Sequence, residues 1–481
     1  MNQAVRKELK GRLKERVSFD KADLMVYSYD IGQMPKIIMS TIDPTPEAVV
    51  VAGSVEDVKA TLEISAKHGI PVTPRGQGSS GYGGAIPTKG GILLDMSVMK
   101  EILKIDEDNM AVDVEPGVVW NELSHELLKH GMDNKVYPTS GQSSTVGGWL
   151  PQGGIGIGSM KYGSIRDVVT EIDVVGLDGK LNTWSGDDVS RFDQTCGILG
   201  IITRLRLSCR KDVGIRPYAV ALPDEDSLQK FTIKARIELD PYTMILHSPD
   251  YVQMQKDAGS DEPVPEGKFL AIVGIEGDKP GRAAVDAVAK ESGGSLLEGH
   301  VAEAEWKDRF YPMRIKKIGP DMVVSEFYLP DEKLAKVWRL MKKDLPNDTL
   351  GMEAVVADKG RIAVLVYIPD NSEEFLYHIR VSKSIRLLRV ALANGGSIYS
   401  AGLWFASSAR QVLGADKYDK VLGFKREVDS RWLINPGKIV PPSVKWLPVM
   451  NVCTFMTTGS YVVMPLGKML TYKRSTIKGR K

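Results

Sequence analysis

The chain has 481 residues, 43% of them hydrophobic and 26% charged, with a formal net charge of +2. This is the composition of a soluble globular protein with room for two or three domains, and its balanced charge excludes nucleic acid as the main partner. Cys196, Cys209 and Cys453 are too scattered for a disulfide framework or a metal-ligand pattern, and the N-terminus has no apolar signal-peptide core, so a cytoplasmic protein is expected.

Residues 1–20 read as a basic amphipathic helix, with Val5, Leu9, Leu13 and Val17 four apart. Residues 24–42, which include Tyr27-Ser28-Tyr29-Asp30, show no strong period. From residue 46 the pattern becomes a compact α/β unit. Ala48 to Val51 predicts a strand, and Val55 to His68 a helix capped by Ser54 and ended by Gly69. Ile70 to Thr73 and Ile92 to Asp95 predict two more strands. Between them runs Pro74-Arg75-Gly76-Gln77-Gly78-Ser79-Ser80-Gly81-Tyr82-Gly83-Gly84. A loop so rich in glycine can aim several backbone N–H groups into one concavity, which suits an anion, phosphate above all. Gly76-x-Gly78-x-x-Gly81 has the letters of the Rossmann fingerprint, but that fingerprint needs a helix opening at its third glycine. More glycines and Pro87 follow instead, so the expectation is a phosphate-cradling loop between two strands.

A second unit begins with the alternating run Met110 to Glu115 and a helix from about Val119 to His130, ended by Gly131. Glycine crowds again into 141–163, which marks a site rather than a linker. Ile172 to Val175 predicts a strand, Leu177-Asp178-Gly179-Lys180 a hairpin turn, and Ile201 to Leu207 a closing strand. After about residue 214, strands are predicted over 268–275, 322–328, 352–357 and 362–368. Helices are predicted over 224–238, 280–292, 331–344 and 373–393, with Pro280 and Pro330 in first turns. This describes an antiparallel sheet with helices on one face. Asn435-Pro436-Gly437-Lys438 is a tight turn. Leu447 to Gly467 carries no charge and is followed by six basic residues between Lys468 and Lys481. Its prolines and polar residues argue against a membrane span. A tail packed on its own domain, a partner-docking segment and a membrane-surface contact all remain open.

Six motifs together resemble the FAD-binding domain of the vanillyl-alcohol oxidase/p-cresol methylhydroxylase (PCMH) superfamily, and within it the glycolate and D-lactate dehydrogenase branch. They are Pro74-Arg75-Gly76-x-Gly78, Gly91 to Ser97, Val114-Glu115-Pro116-Gly117-Val118, Thr145-Val146-Gly147-Gly148 with Tyr162-Gly163, Gly197 to Thr203, and Asn435 to Lys438. The resemblance implies an α+β fold, with a two-subdomain PCMH-type FAD-binding domain and an antiparallel-sheet cap domain. The implied boundaries are an N-terminal helical segment at 1–42, the FAD domain at 43–213, the cap at 214–424, and a C-terminal return with its tail at 425–481.

The resemblance also implies which residues hold FAD. They are Arg75, Gly76, Gln77, Gly78, Ser79, Ser80 and Gly81 in the first loop, and Pro138, Thr139, Ser143, Ser144, Thr145, Gly147, Gly148, Gly153, Gly154, Gly156, Ser159 and Tyr162 in the long glycine-rich segment. Gly197, Gly200, Ile202, Asn435 and Lys438 complete the set. Some members attach FAD covalently to a histidine in the first loop. Ser79 stands at that position, so a non-covalent flavin is expected. The implied activity is that of an FAD-dependent dehydrogenase, passing hydride from a small hydroxy acid or alcohol to flavin N5 and electrons to a carrier. The branch also uses a histidine-rich metal motif and a Glu-His pair after a Gly-Gly turn. Here Ala401 and Gly402 occupy the pair's positions and 352–368 holds no histidine, so no metal is expected. Arg314, with Arg309, and Tyr399 are then the candidate catalytic groups, with His247 a weaker candidate base. The missing histidines keep two alternatives open. One is an electron-transfer flavin subunit beside an iron–sulfur protein. The other is a non-redox flavoenzyme resembling alkyl-dihydroxyacetone-phosphate synthase.

Overall fold

The computed structural model describes all residues except 33, 261–263, 320, 358–359, 371–376, 378, 457, 460–461 and 463–481, and leaves out the side chains of 312 and 448. His378 and the basic end of the tail therefore lie outside the described residues. The chain forms two compact units. The first comprises Met1–Gly154, Ser164–Asp212 and Ser400–Thr457; the second takes Ile155–Gly163 and Val213–Tyr399.

The first unit holds two larger sheets and a two-stranded one, Ser443–Val444 with Leu447–Asn451. In one, β1 (Val17–Ser18), β2 (Ala48–Val51), β3 (Val72–Arg75) and β4 (Ile92–Asp95) lie in the order β1-β2-β4-β3, with β2, β4 and β3 parallel. The helix Val55–His68 makes the crossover from β2 to β3. Ser54 caps it by accepting from the Asp57 N–H at 3.2 Å, and Gly69 ends it in the left-handed region at φ 67°. The N-terminal helix is shorter than its spacing suggested, Gln3–Leu13, because Val17 leaves it to pair with Val50 in β1. Val5, Leu9 and Leu13 still bury one face against Val58, Leu62 and Ile64. Leu433 and Ile434 enter the same core from the C-terminal side.

The other sheet contains β5 (Ile102–Asp106), β6 (Ala111–Val114), β7 (Met132–Asn134), β8 (Val169–Val175), β9 (Leu181–Ser185) and β10 (Ile201–Lys211), ordered β5-β6-β10-β8-β9 with β7 also on β10. A charge ladder crosses it. Arg204 joins Asp113, Asp173 and Glu171, and Arg206 joins Asp113 and Asp106, so two arginines bridge four carboxylates across four strands.

The second unit is built on one antiparallel sheet of eight strands. They are β11 (Ile215–Leu222), β12 (Thr243–His247), β13 (Phe269–Glu276), β14 (Ser295–Leu296), β15 (Val323–Pro330), β16 (Gly351–Val356), β17 (Arg361–Ile368) and β18 (Ser397–Ile398). The helix Ser382–Leu392 packs on β15 through Ser325, whose hydroxyl donates to the Ser384 carbonyl. The short helix Pro249–Asp257 meets Tyr367, which lies opposite Val324 and so points the other way from Ser325. The sheet therefore carries this short helix on the face opposite Ser382–Leu392. Pro330 closes β15 and Pro280 precedes the helix Arg282–Glu291, so neither proline opens a helix as its position suggested.

Candidate functional site

The glycine loop leaves the C-terminal end of β3. Arg75, at its start, donates from Nη1 to the Tyr29 carbonyl at 2.6 Å and lies over the Tyr27 ring at 5.4 Å. Beyond it, the backbone N–H groups of Gly76, Gln77, Gly78, Ser79, Ser80 and Gly81 have no hydrogen-bond partner among the described residues. Gln77 and Gly81 are exposed and the other four half-buried. Six successive donors left open at the end of a parallel sheet are the kind of group a diphosphate needs.

The segment 138–148 lies against this loop. Ser79 Oγ is 2.9 Å from Ser144 Oγ, which is 2.6 Å from Ser140 Oγ. The hydroxyls thus chain the two segments together. Gly141 N–H donates to Pro138 O at 2.9 Å, turning the chain past Thr139 and the exposed Ser143. Thr145 caps the helix Val146–Gln152, its Oγ1 accepting from Gly148 N–H at 3.3 Å. An added Cβ on Gly76 would stand 2.3 Å from that same Oγ1, so the two segments touch backbone to cap. The N–H groups of Val146 and Gly147 are taken by the carbonyls of Val118 and Pro116, both at 2.9 Å. The open donors therefore lie in the loop and not at the start of this helix. Gln152 ties the helix end to the loop and to the C-terminal third of the chain. Its Oε1 accepts from Ser80 Oγ at 3.1 Å and its Nε2 donates to Ser400 Oγ at 2.6 Å.

Gly153 and Gly154 follow, beside Gln194 and Asp193. Gly197 lies against Pro74, and Gly200 and Ile202 meet β8 at Val174. The turn at 435–438 closes on the same place. Asn435 N–H donates to Val72 O at 2.7 Å, and its Nδ2 donates to Cys196 O at 2.6 Å and Gly84 O at 3.1 Å. Asn435 Oδ1 is buried with no partner among the described residues. Lys438 is fully buried and donates to Ile86 O. Burial pulls its ammonium down to about 7, against the opposing pull of Cys196 and Asp30. The Cys196 thiol, buried alongside, is pushed up by the same desolvation, which makes it a packed cysteine rather than a nucleophile. Open donors, an orphaned buried acceptor and a buried cation fit a dinucleotide whose diphosphate and polar ring edge need such groups.

The remaining expected residues lie in the second unit. Gly156 N–H donates to Ser159 Oγ at 2.9 Å, and the Tyr162 hydroxyl lies 3.0 Å from each oxygen of Glu276, which Lys161 also pairs at 2.8 Å. Arg314 forms a two-pronged ion pair with Asp308 at 2.6 and 2.9 Å. Arg309 stacks on Trp306 and Phe310 at 4.0 and 4.2 Å. Tyr399 is buried 5.0 Å from the Tyr328 ring, and burial holds its phenol well above the usual range. His247 is also buried, its imidazole pushed down to about 3 by desolvation, with Nδ1 3.7 Å from Glu305 Oε2. Sequence reasoning missed its neighbourhood. Glu353, opposite His247 in the sheet, accepts from the Tyr251 and Tyr367 hydroxyls at 3.3 and 3.0 Å, and desolvation raises its carboxyl to about 7. The apolar run around it marks β16 as a strand but cannot announce that its one acid points inward. Among the described residues no group of three His, Cys, Asp or Glu could hold a metal, and no helix is long and apolar enough to cross a membrane.

Residues 46–185 match the FAD binding domain family. The glycolate oxidase subunit GlcD of Bacillus subtilis is 31% identical over 458 residues, spanning 88% of this chain and 94% of that one. The mitochondrial D-lactate dehydrogenase [cytochrome] of Arabidopsis thaliana is 24% identical over 430 residues, 83% of this chain and 74% of that one. Among solved structures, p-cresol methylhydroxylase superposes with a TM-score of 0.73 at 18% identity, covering 92% of this chain and 98% of its own. An alkyldihydroxyacetonephosphate synthase also reaches 0.73 at 18% identity, covering 91% and 85%. The chain is thus an FAD-dependent oxidoreductase with a PCMH-type fold. The chain belongs to the FAD-binding family that includes the glycolate oxidase subunit GlcD and the D-lactate dehydrogenases.

Proposed function

We propose that the chain oxidises a small 2-hydroxy acid or related alcohol and passes the electrons to a separate carrier protein. The observation that carries this reading is the likeness to a glycolate oxidase subunit over nearly the whole length of both chains. FAD, held without a covalent bond because Ser79 offers only a hydroxyl, supplies the hydride acceptor. The chain's own residues have the remaining tasks. Loop 76–81 holds the diphosphate, with Asn435 and Lys438 serving the ring's polar edge. Arg314, pre-oriented by Asp308, anchors the substrate carboxylate together with Arg309. Tyr399, kept neutral by burial, orients the substrate hydroxyl as a hydrogen-bond partner, and the hydroxyl proton released with the hydride passes to solvent water.

A second reading, a flavin relay that takes electrons from an iron–sulfur partner, is favoured by Gly402. It sits at φ +52°, and an added Cβ would lie 2.2 Å from Tyr82 O. The backbone there admits no side chain, so the histidine of the related enzymes has no room to return. Anaerobic titration separates the two. Loss of the flavin's visible absorbance on adding one 2-hydroxy acid supports the first reading. Loss only with a reduced iron–sulfur protein, and with no hydroxy acid or alcohol of a broad panel, overturns it in favour of the second.

A further inference from the structure

Residues 27–32 lie outside the matched FAD binding domain, yet they run along the back of the glycine loop. Tyr27 donates its hydroxyl to Asp95 Oδ2 at 2.5 Å, beside the end of β4. Tyr29 offers its carbonyl to Arg75. Ile31 N–H donates to Gly78 O at 3.0 Å. Gly32 is pressed so close to Gly81 that an added Cβ would lie 2.4 Å from its carbonyl oxygen. At the centre is Asp30. Its Oδ1 accepts from Gly32 N–H at 2.9 Å and its Oδ2 from Gly83 N–H at 2.7 Å, so one carboxyl spans both strands of the contact. The contacts are sorted by side. The strap binds one loop carbonyl, Gly78 O, and the Gly83 N–H, and leaves the N–H groups of 76–81 open.

We propose that residues 27–32 are a strap that sets the shape of loop 76–83 before FAD arrives, and that Asp30 is its positioning residue. This rests on the reading of 76–81 as the diphosphate cradle. A glycine-rich loop left alone would sample many backbone states and lose that freedom on binding. The strap removes it in advance, so its loss appears as weaker FAD affinity and not as a changed reaction. The groups around Asp30 suit a fixed carboxyl. Burial pushes its carboxyl up to about 7, against the opposing pull of the Gly32 and Gly83 N–H groups and of Arg75 and Lys438.

The test uses the full chain stripped of FAD. Asp30→Ala and Asp30→Asn are compared with the unaltered protein by FAD titration and by amide hydrogen exchange across 76–83 without FAD. Asp30→Ala is expected to weaken FAD binding by about tenfold or more, since roughly 1.4 kcal/mol of lost preorganisation is one decade. It should also speed exchange in the loop. Asparagine retains one acceptor and should fall between the two, and it decides the matter if the alanine variant does not fold. Unchanged affinity and unchanged loop exchange in Asp30→Asn overturn the strap. Gly78→Ala, at φ +66° in the loop itself, separates the two claims. If it too leaves FAD affinity unchanged, the cradle reading is at fault; if it weakens binding while the Asp30 variants do not, only the strap is.

Discussion

Replacing Gly76 by alanine tests the contact that joins the two halves of the cradle. The added Cβ would stand 2.3 Å from Thr145 Oγ1, while the next atoms, Thr145 Cβ and Cγ2, are at an ordinary 3.5 Å. The backbone at 76 is not in the left-handed region, so an alanine is strained only through that one hydroxyl. The cheapest relief is rotation of the Thr145 side chain, which surrenders the cap to Gly148 N–H. Loss of such a cap costs about 1 kcal/mol. Thr145→Ala forfeits the same bond for the same ~1 kcal/mol, and it also removes the clashing oxygen. The double variant should therefore cost about 1 kcal/mol rather than the ~2 of independent sites, a coupling close to 1 kcal/mol. Guanidinium unfolding of the FAD-free protein reads all four corners of this cycle. Strictly additive costs would refute the contact as drawn.

Three further outcomes follow from charged side chains. Lys425 donates to Asp429 at 2.6 Å and to the carbonyls of Ile198 and Ile434 at 2.5 and 2.9 Å, with burial pulling its ammonium down to about 8. Asp429 in turn accepts from the N–H groups of Leu433 and Ile434. Lys425→Met should cost roughly 3–5 kcal/mol of unfolding free energy and loosen hydrogen exchange at 433–438, because it strands a buried carboxylate. Glu353 has its carboxyl raised to about 7 from an ordinary 4.5, so the stability it supports is complete below pH 4.5 and is lost as pH rises through 7. Comparing unfolding at pH 4.5 and pH 8, the unaltered protein should lose up to about 3 kcal/mol relative to Glu353→Gln; a constant difference contradicts the assignment. In substrate kinetics, Arg314→Ala should raise KM for a 2-hydroxy acid by roughly tenfold to a hundredfold, the worth of a charge-assisted contact, with a smaller change in kcat.

Much of the first unit is legible because its signals are local. The helix after β2 announces both its caps, Ser54 and Gly69, within one short window. The glycine loop advertises its open donors by composition alone. The strap at 27–32 was hidden for the opposite reason. It has no period, and its partners at 75–83 and 95 lie some fifty residues away, so nothing nearby gives Asp30 a role. The strands β11 and β12 escaped for a third reason. Neither alternates, β11 is interrupted near its start by Arg216-Pro217, and β12 is only 5 residues long. Asp308 shows a further limit: the sequence offers Arg314 as a free cation, and only the fold shows its fork already engaged. Tyr162, Ser159 and Gly156 stand a few residues from Gly153 in the chain, yet they fold with the second unit and pair with its Glu276 and with each other.

The central claim is that the N–H groups of 76–81 receive the FAD diphosphate, and amide hydrogen exchange tests it most directly. The protein stripped of its cofactor is compared alone, with FAD, and with riboflavin, which carries the same ring system without the diphosphate. FAD should slow exchange at 76–81 strongly, while riboflavin should leave those amides as they were. Equal protection by both, or protection by neither at that loop, would contradict it.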